Sequence, residues 1–358
     1  MRTKYLVIVG AGATLSDAAR LPAKKQPPLD RGFFTSASRS NHTEFAVVRR
    51  YLLNTYDFDP LDPERDRLEA VMAIIYADIH NPDLESSAIP AFRSLIRLFN
   101  RRIAETTNPL YPTNQSKLYR IICRALDDGY SPEEICIITF NQDIQIERVL
   151  DSINRTRRAD RHGGVFNFPL CYTAPVAERP FIAPPETANR FPRGGNLSEK
   201  IRVLKLHGSL NWFSKHNSRD VPKNTILSSA RDYFITPRTT LLPDLMIRSR
   251  RTMYTFPLVV PPVTHKAGIL HEDIHPLWTK ATAALKNAEK LVVFGYSCPE
   301  MDFESANLIR RAIRQNKKLQ YFSVIDPDPQ VFQRYVYLTG VDRIFWFKSA
   351  DSFRKGYG

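Results

Sequence analysis

Five short blocks of glycines and polar residues each follow directly on a short apolar run. They are Gly10-Ala11-Gly12-Ala13-Thr14, Asn141-Gln142-Asp143, His207-Gly208-Ser209, Gly295-Tyr296-Ser297 and Asp326-Pro327-Asp328-Pro329. Their residue types suit a site that binds an anion and moves a proton. Glycine at positions 10 and 12 permits φ above zero and a close approach of backbone N–H groups to a phosphate. An imidazole, as at His207, ordinarily titrates near neutral pH and can act as acid or base. Asn141 and Asp143 offer an amide and a carboxylate, yet the same two residues would serve as ordinary N-caps for a helix beginning near Ile144. Ser297 and Asp302 flank a further helix and divide between cap and ligand in the same way. His207 alone would read as a core histidine donating to a carbonyl; the repetition of polar blocks behind apolar runs points to a site.

The apolar runs that must carry these blocks are Tyr5–Val9, Ile135–Phe140, Arg202–Leu206, Leu291–Phe294 and Tyr321–Ile325. Their β-branched content, short length and abrupt polar ends favour buried parallel strands. Helical spacing appears over Glu64–Ile79, Ala91–Arg102, Leu118–Asp127, Pro276–Ala288 and Phe303–Asn316. The alternation predicts an α/β fold, a doubly wound, Rossmann-like parallel sheet with an inserted helical lobe. In such a sheet ligands bind outside the carboxyl ends of the strands, where all five blocks fall. We expect one nucleotide-binding domain over 1–358, with the helical lobe at 35–130 and irregular, Pro-rich insertions at 152–200 and 214–262. Strands are expected near Asp232–Ile235 and Pro257–Val260.

With 358 residues, 43% hydrophobic and 25% charged, the chain can bury a full core. The formal net charge of +14 favours contact with phosphates, whether of a nucleotide, a nucleic acid or an anionic partner. The basic groups, such as Arg310, Arg311, Arg314, Lys317 and Lys318, do not interleave with aromatics as a base-stacking surface would, and read as solvated surface. Cys123, Cys136, Cys171 and Cys298 form neither a CxxC pair nor a disulfide framework, which fits a reducing cytoplasm. His162, His216, His265, His271 and His275 lack a metal-binding spacing such as HExxH. The apolar start is too short for a signal-peptide core, and no uncharged 18-residue apolar run occurs, so neither a Sec signal nor a membrane span is expected.

A hydride-transferring dehydrogenase is disfavoured. Leu15 stands where GxGxxG requires its third glycine, and Asp30 lies in a Pro-rich loop rather than at the end of a second strand. The prolines at 22–28 predict a loop closing over a nucleotide in place of an amphipathic helix after the glycines. Taken in order, GAGAT (Gly10–Thr14), TFNQD (Thr139–Asp143), LHG (Leu206–Gly208), GYS (Gly295–Ser297) and VIDP (Val324–Pro327) resemble the sirtuin-like NAD-consuming family across most of the chain. LHGSLNW (Leu206–Trp212), VVPP (Val259–Pro262), Leu277-Trp278 and GYSCPEMD (Gly295–Asp302) resemble more specifically the bacterial sirtuin-like effectors of antiphage defence.

The resemblance implies roles. Asn141 would order a water and the ribose hydroxyls, Asp143 would hold the nicotinamide carboxamide, and His207 would be the base on a ribose hydroxyl or the attacking water. Thr14, Ser297 and the amides of Ala11 and Gly12 would hold the diphosphate, and Asp326 would meet the adenosine ribose; Gly10, Gly208, Gly295 and Asp302 complete the expected NAD site. The four-cysteine zinc module of sirtuin deacylases has no counterpart, so no zinc is expected, and Pro28-Leu29-Asp30-Arg31 is only an echo of the family PDFR motif. The implied activity is hydrolysis of NAD to nicotinamide and ADP-ribose. The rivals are an NAD-dependent protein deacylase and a non-catalytic NAD or ADP-ribose sensor or DNA-associated module. Because a toxic NADase needs a gate, the expected partners are further copies of the chain, a DNA-translocating ATPase of the HerA kind or a short Argonaute, with any nucleic-acid contact indirect.

Overall fold

The computed structural model describes residues 3–40, 42–110, 115–156, 160–161, 163–168, 170–172, 200–213, 247–248, 253–254, 257–260, 274–299 and 302–355. Six parallel strands form the central sheet: β1 (Tyr5–Val9), β2 (Ile135–Thr139), β3 (Arg202–Lys205), β8 (Lys290–Phe294), β9 (Tyr321–Ile325) and β10 (Ile344–Phe347). Their order is β10-β9-β8-β1-β2-β3, which makes the sheet doubly wound with its switch point between β1 and β8. All five β1 residues are buried, as a strand covered on both faces requires; continuous apolar runs, rather than alternation, are the signature of such strands. The five anticipated runs are all strands. The sixth, β10, is an edge strand with Phe345 and Trp346 exposed, so its sequence lacks the signature of a buried strand.

Helices cover the sheet and fill the long gap between β1 and β2. In that gap lie α1 (Ala11–Ala18), α2 (Phe33–Ser38), α3 (Thr43–Tyr56), α4 (Leu68–Ile79), α5 (Glu85–Thr107) and α6 (Lys117–Asp127). Two of them are capped reciprocally. Asp66 accepts from the Phe34 and Thr35 amides at 2.8 and 2.9 Å at the start of α2, and Asp30 accepts from the Glu69 amide at 2.8 Å at the start of α4. Thus the loop holding Asp30 is tied to the helices rather than free of them.

Helix α1 corrects the expectation that no helix follows the glycines. Ala11, Ala13 and Ala18 supply helix propensity, Ala13, Thr14 and Ala18 are buried, and the chain stops short of Pro22, whose ring bars continuation. After β2 comes α7 (Gln145–Asn154); α8 (His275–Asn287), α9 (Phe303–Arg314), α10 (Pro329–Thr339) and α11 (Ala350–Lys355) complete the helices described. The latter part of LHGSLNW forms β4 (Gly208–Phe213), antiparallel to β7 (Pro257–Val259), which falls where a strand was expected near Pro257–Val260. Gly208 has φ +73°, which lets the chain turn out of the central sheet immediately after His207. The short strands β5 (Ile247–Arg248) and β6 (Met253–Tyr254) pair with each other. The anticipated strand at Asp232–Ile235 lies outside the described residues, as do most of the two irregular insertions.

Candidate active site

The switch point is built from glycines. A Cβ on Gly10 would lie 2.5 Å from Tyr296 Cα and 2.6 Å from Tyr296 Cβ, and one on Gly12 would lie 2.9 Å from Gly295 O. Gly295 has φ +62°, and a Cβ there would run into the Ala13 amide nitrogen. The turns after β1 and β8 therefore touch through bare backbone, joined by the Gly12 amide donating to Gly295 O at 2.9 Å. Neither Gly10 nor Gly12 has positive φ; they are needed for close approach. The expected role of the Gly12 amide also shifts, since that donor already serves the protein itself. The N-terminus of α1, with its partial positive charge, faces the same end of the sheet.

Thr14 joins the first two blocks. Its Oγ1 donates to Asp143 Oδ2 at 2.8 Å and accepts from Asn141 Nδ2 at 3.3 Å, with all three side chains buried. The hydroxyl assigned to a diphosphate thus acts as a brace between the amide and the carboxylate. Ile144 holds the N-cap position of α7, while Asp143 Oδ1, one residue earlier, accepts from the amide of Gln145, the first residue of the helix, at 2.9 Å. Each oxygen of a carboxylate has two lone pairs, so this bond leaves acceptor capacity for a ligand. From the strand below, Thr139 Oγ1 receives the Asn141 amide at 3.0 Å and donates to Val9 O at 3.0 Å, tying β2 to β1 at the point where the loop leaves the sheet.

His207, 4% exposed at the end of β3, stands with its Nε2 3.8 Å from Asp302 Oδ2. Its ring meets Phe140 edge-on at 5.2 Å between centroids and lies 6.4 Å from Trp278, whose indole N–H donates to Leu206 O at 3.2 Å. Phe140 stacks on Tyr296 at 4.2 Å, above the strand they flank. Tyr296 Oη donates to Asp302 Oδ2 at 2.8 Å and Ser305 Oγ donates to Oδ1 at 2.6 Å. Burial, reinforced by the Asp302 charge, pushes the Tyr296 phenol well above its usual range, so it remains a donor to that carboxylate. Asp302 occupies the N-cap position of α9, but its carboxylate serves Tyr296 and Ser305 and lies beside His207. Phe140 and Tyr296 were not singled out as site residues, since aromatics beside strand ends look like core in a sequence.

Two further expected ligands, Ser297 and Asp326, make contacts of their own. Ser297 is half-buried, with its carbonyl receiving Arg334 Nη1 at 2.7 Å. Asp326 follows β9, one strand beyond β8; its Oδ1 accepts from the Asp328 amide at 3.0 Å, and burial raises its carboxyl above the ordinary value of 3.8. Burial raises the Cys136 thiol to about 11 and the Cys298 thiol to about 12 and pushes Cys171 well above its usual range, so these three stay protonated at neutral pH. The cysteines occupy separate segments, and among the described residues no group of three or more His, Cys, Asp and Glu could hold a metal ion. Of the histidines set aside earlier, only His275 falls within the described residues, at the start of α8. None of the described helices is long and apolar enough to cross a membrane.

Sequence reasoning also missed two buried charges, Lys205 and Glu147, whose Nζ and Oε1 are 3.0 Å apart. Lys205 was legible as a charge inside a short run, Arg202–Leu206, read as a buried strand. Glu147 follows Asp143 at helical spacing, on the inner face of α7.

No protein-family model and no curated protein matches the chain. Among solved structures it is similar to a Sir2 homologue in complex with NAD, at 15% identity and TM-score 0.44 over 99% of this chain and 91% of that one. It is likewise similar to Sir2Tm bound to a propionylated peptide, at 10% identity and TM-score 0.41 over 98% and 91% of the two chains. A Sir2 complex with a p53 peptide and NAD+ matches at 9% identity and TM-score 0.40, over 99% and 91%. At these levels of likeness, the doubly wound architecture stands on the strand order of the chain itself.

Proposed function

We propose that the chain hydrolyses NAD to nicotinamide and ADP-ribose. The observation that carries this reading is that the Thr14–Asn141–Asp143 cluster and the His207–Asp302 pair both stand at the carboxyl ends of β1, β2, β3 and β8, beside a glycine-lined switch point. A dinucleotide laid over the α1 N-terminus would place its diphosphate against a partial positive charge. Breaking the N-glycosidic bond develops oxocarbenium character, which an uncharged amide at Asn141 can border without quenching. His207 would take the proton from a ribose hydroxyl or from water, and the Asp302 carboxylate 3.8 Å away would stabilise the resulting imidazolium. Asp143 would receive the carboxamide N–H of the leaving nicotinamide. Gly10, Ala11, Ser297 and Asp326 would line the diphosphate and adenosine end, and the absence of paired cysteine ligands in the sequence favours water over an acyl-lysine peptide as acceptor.

We further read the protein as a gated effector of bacterial antiphage defence, held in check until it self-assembles or meets a HerA-like ATPase or short Argonaute. The direct test is to incubate the purified chain with NAD and separate the products, alongside Asn141→Ala and His207→Ala. Nicotinamide and ADP-ribose should form, with each variant at least about 100-fold slower. O-acyl-ADP-ribose formed from an acetylated peptide would favour the deacylase instead. Failure to bind NAD by titration would remove the assignment.

A further inference from the structure

We propose that Lys205 and Glu147 are a positioning pair that sets the Asn141-Gln142-Asp143 loop against His207. The inference relies on the hydrolase reading for what that loop does, while the contacts themselves stand independently of it. Both side chains are fully buried and 3.0 Å apart. Desolvating two charges commonly outweighs their attraction, and an apolar pair of similar volume would often hold the fold as well. The contacts made by the pair suggest what it does beyond holding the fold.

Lys205 Nζ donates to the main-chain oxygen of Asp143 as well as to Glu147. The preceding carbonyl, that of Gln142, receives the Leu210 amide at 2.8 Å. Two successive carbonyls of the loop are therefore gripped from both sides of His207 along its own chain, by Lys205 before it and by the Leu210 amide after it. The remaining contacts join Glu147 to the segment after His207, and the Leu210 amide on Gln142 O completes a ring through the backbone. Tyr172 Oη donates to Glu147 Oε1 at 2.7 Å, Asn211 Nδ2 donates to Tyr172 Oη at 2.9 Å, and Ser209 Oγ donates to Asn211 Oδ1 at 2.5 Å. Burial and the Glu147 charge hold the Tyr172 phenol well above its usual range, so it remains a donor in this ring. Since a misplacement of about 1 Å can slow catalysis about 100-fold, a shared frame for Asn141 and His207 bears directly on rate. Charge balance matters too: an ammonium alone beneath a centre that becomes cationic would oppose the reaction, and Glu147 neutralises it.

The test compares full-length Lys205→Met, Glu147→Gln and the double variant with the wild type, measuring melting temperature, NAD affinity and turnover. The single variants should melt lower, and the double variant should recover most of that loss because no unpaired charge remains. Turnover by the double variant should stay at least about tenfold below wild type with NAD affinity little changed, because the donor to Asp143 O is missing. Wild-type turnover in the double variant would overturn the proposal and leave the pair a packing feature. If the double variant does not fold, Tyr172→Phe serves in its place, with a several-fold fall in kcat at unchanged affinity expected and an unchanged kcat refuting the ring. Should the wild type neither bind nor cleave NAD, the hydrolase reading falls separately. Amide hydrogen exchange over residues 141–145 then decides the positioning role: protection lost there in the folded variant supports it, and unchanged protection refutes it.

Discussion

Thr14 shows how one hydroxyl can matter more than its place in a motif. It donates to Asp143 and accepts from Asn141, so replacing it by valine would leave a buried carboxylate oxygen and a buried amide without their shared partner. Buried polar groups so stranded destabilise by about 1–3 kcal/mol each, while the valine fills nearly the same volume. We expect Thr14→Val to lower the unfolding free energy by about 2 kcal/mol and to reduce NAD turnover more than about tenfold through displacement of Asn141. Urea unfolding and steady-state kinetics check the two effects separately. A hydroxyl serving only the diphosphate would instead raise KM and leave stability unchanged.

Between elements, α1 is the piece that locks the first strand to its surroundings. Its start packs on Gly295, its middle carries Thr14, and its end carries Asp17, which receives the Ser116 hydroxyl at 2.5 Å and the Lys117 amide at 2.9 Å and so caps α6. Burial dominates the electrostatics of Asp17 and raises its carboxyl above the ordinary value of 3.8. A carboxyl whose folded pKa is raised contributes stability below its unfolded pKa and loses it as pH rises through the folded value. Relative to Asp17→Asn, the wild type should therefore lose stability between about pH 4 and the higher folded pKa of this group, with no further change above it. Denaturant unfolding of both proteins across that range provides the measurement, and parallel pH profiles would show that Asp17 does not titrate there.

At the scale of the molecule, the proposed activity requires restraint, since unrestrained hydrolysis would exhaust the cell's NAD. The formal net charge of +14 gives the chain long-range attraction for anionic partners, and such attraction weakens as salt rises. If self-assembly is the gate, specific NADase activity should rise with protein concentration in step with the mass measured by light scattering. Full activity in a dilute, partner-free monomer would refute the gate. If nucleic acid takes part, affinity should fall linearly on a logarithmic salt scale.

The sequence by itself determined the doubly wound sheet and the ends at which its polar blocks sit. Strands buried on both faces are dominated by apolar residues, and five of the six were legible for that reason, β3 despite its Arg202 and Lys205. It also supplied Asn141, Asp143 and His207 as chemically apt residues, because polar groups placed directly after buried strands stand out. Tertiary structure decided what those residues touch. The Thr14 brace spans 129 positions to Asp143, the His207–Asp302 approach joins blocks from β3 and α9, and Gly10 is required by the Tyr296 backbone rather than by its own φ. Lys205 and Glu147 likewise acquired their meaning only when β3 and α7 closed over the same loop. Periodicity records whether a residue faces core or solvent, whereas contacts between distant blocks depend on strand order and helix docking, which no local pattern encodes.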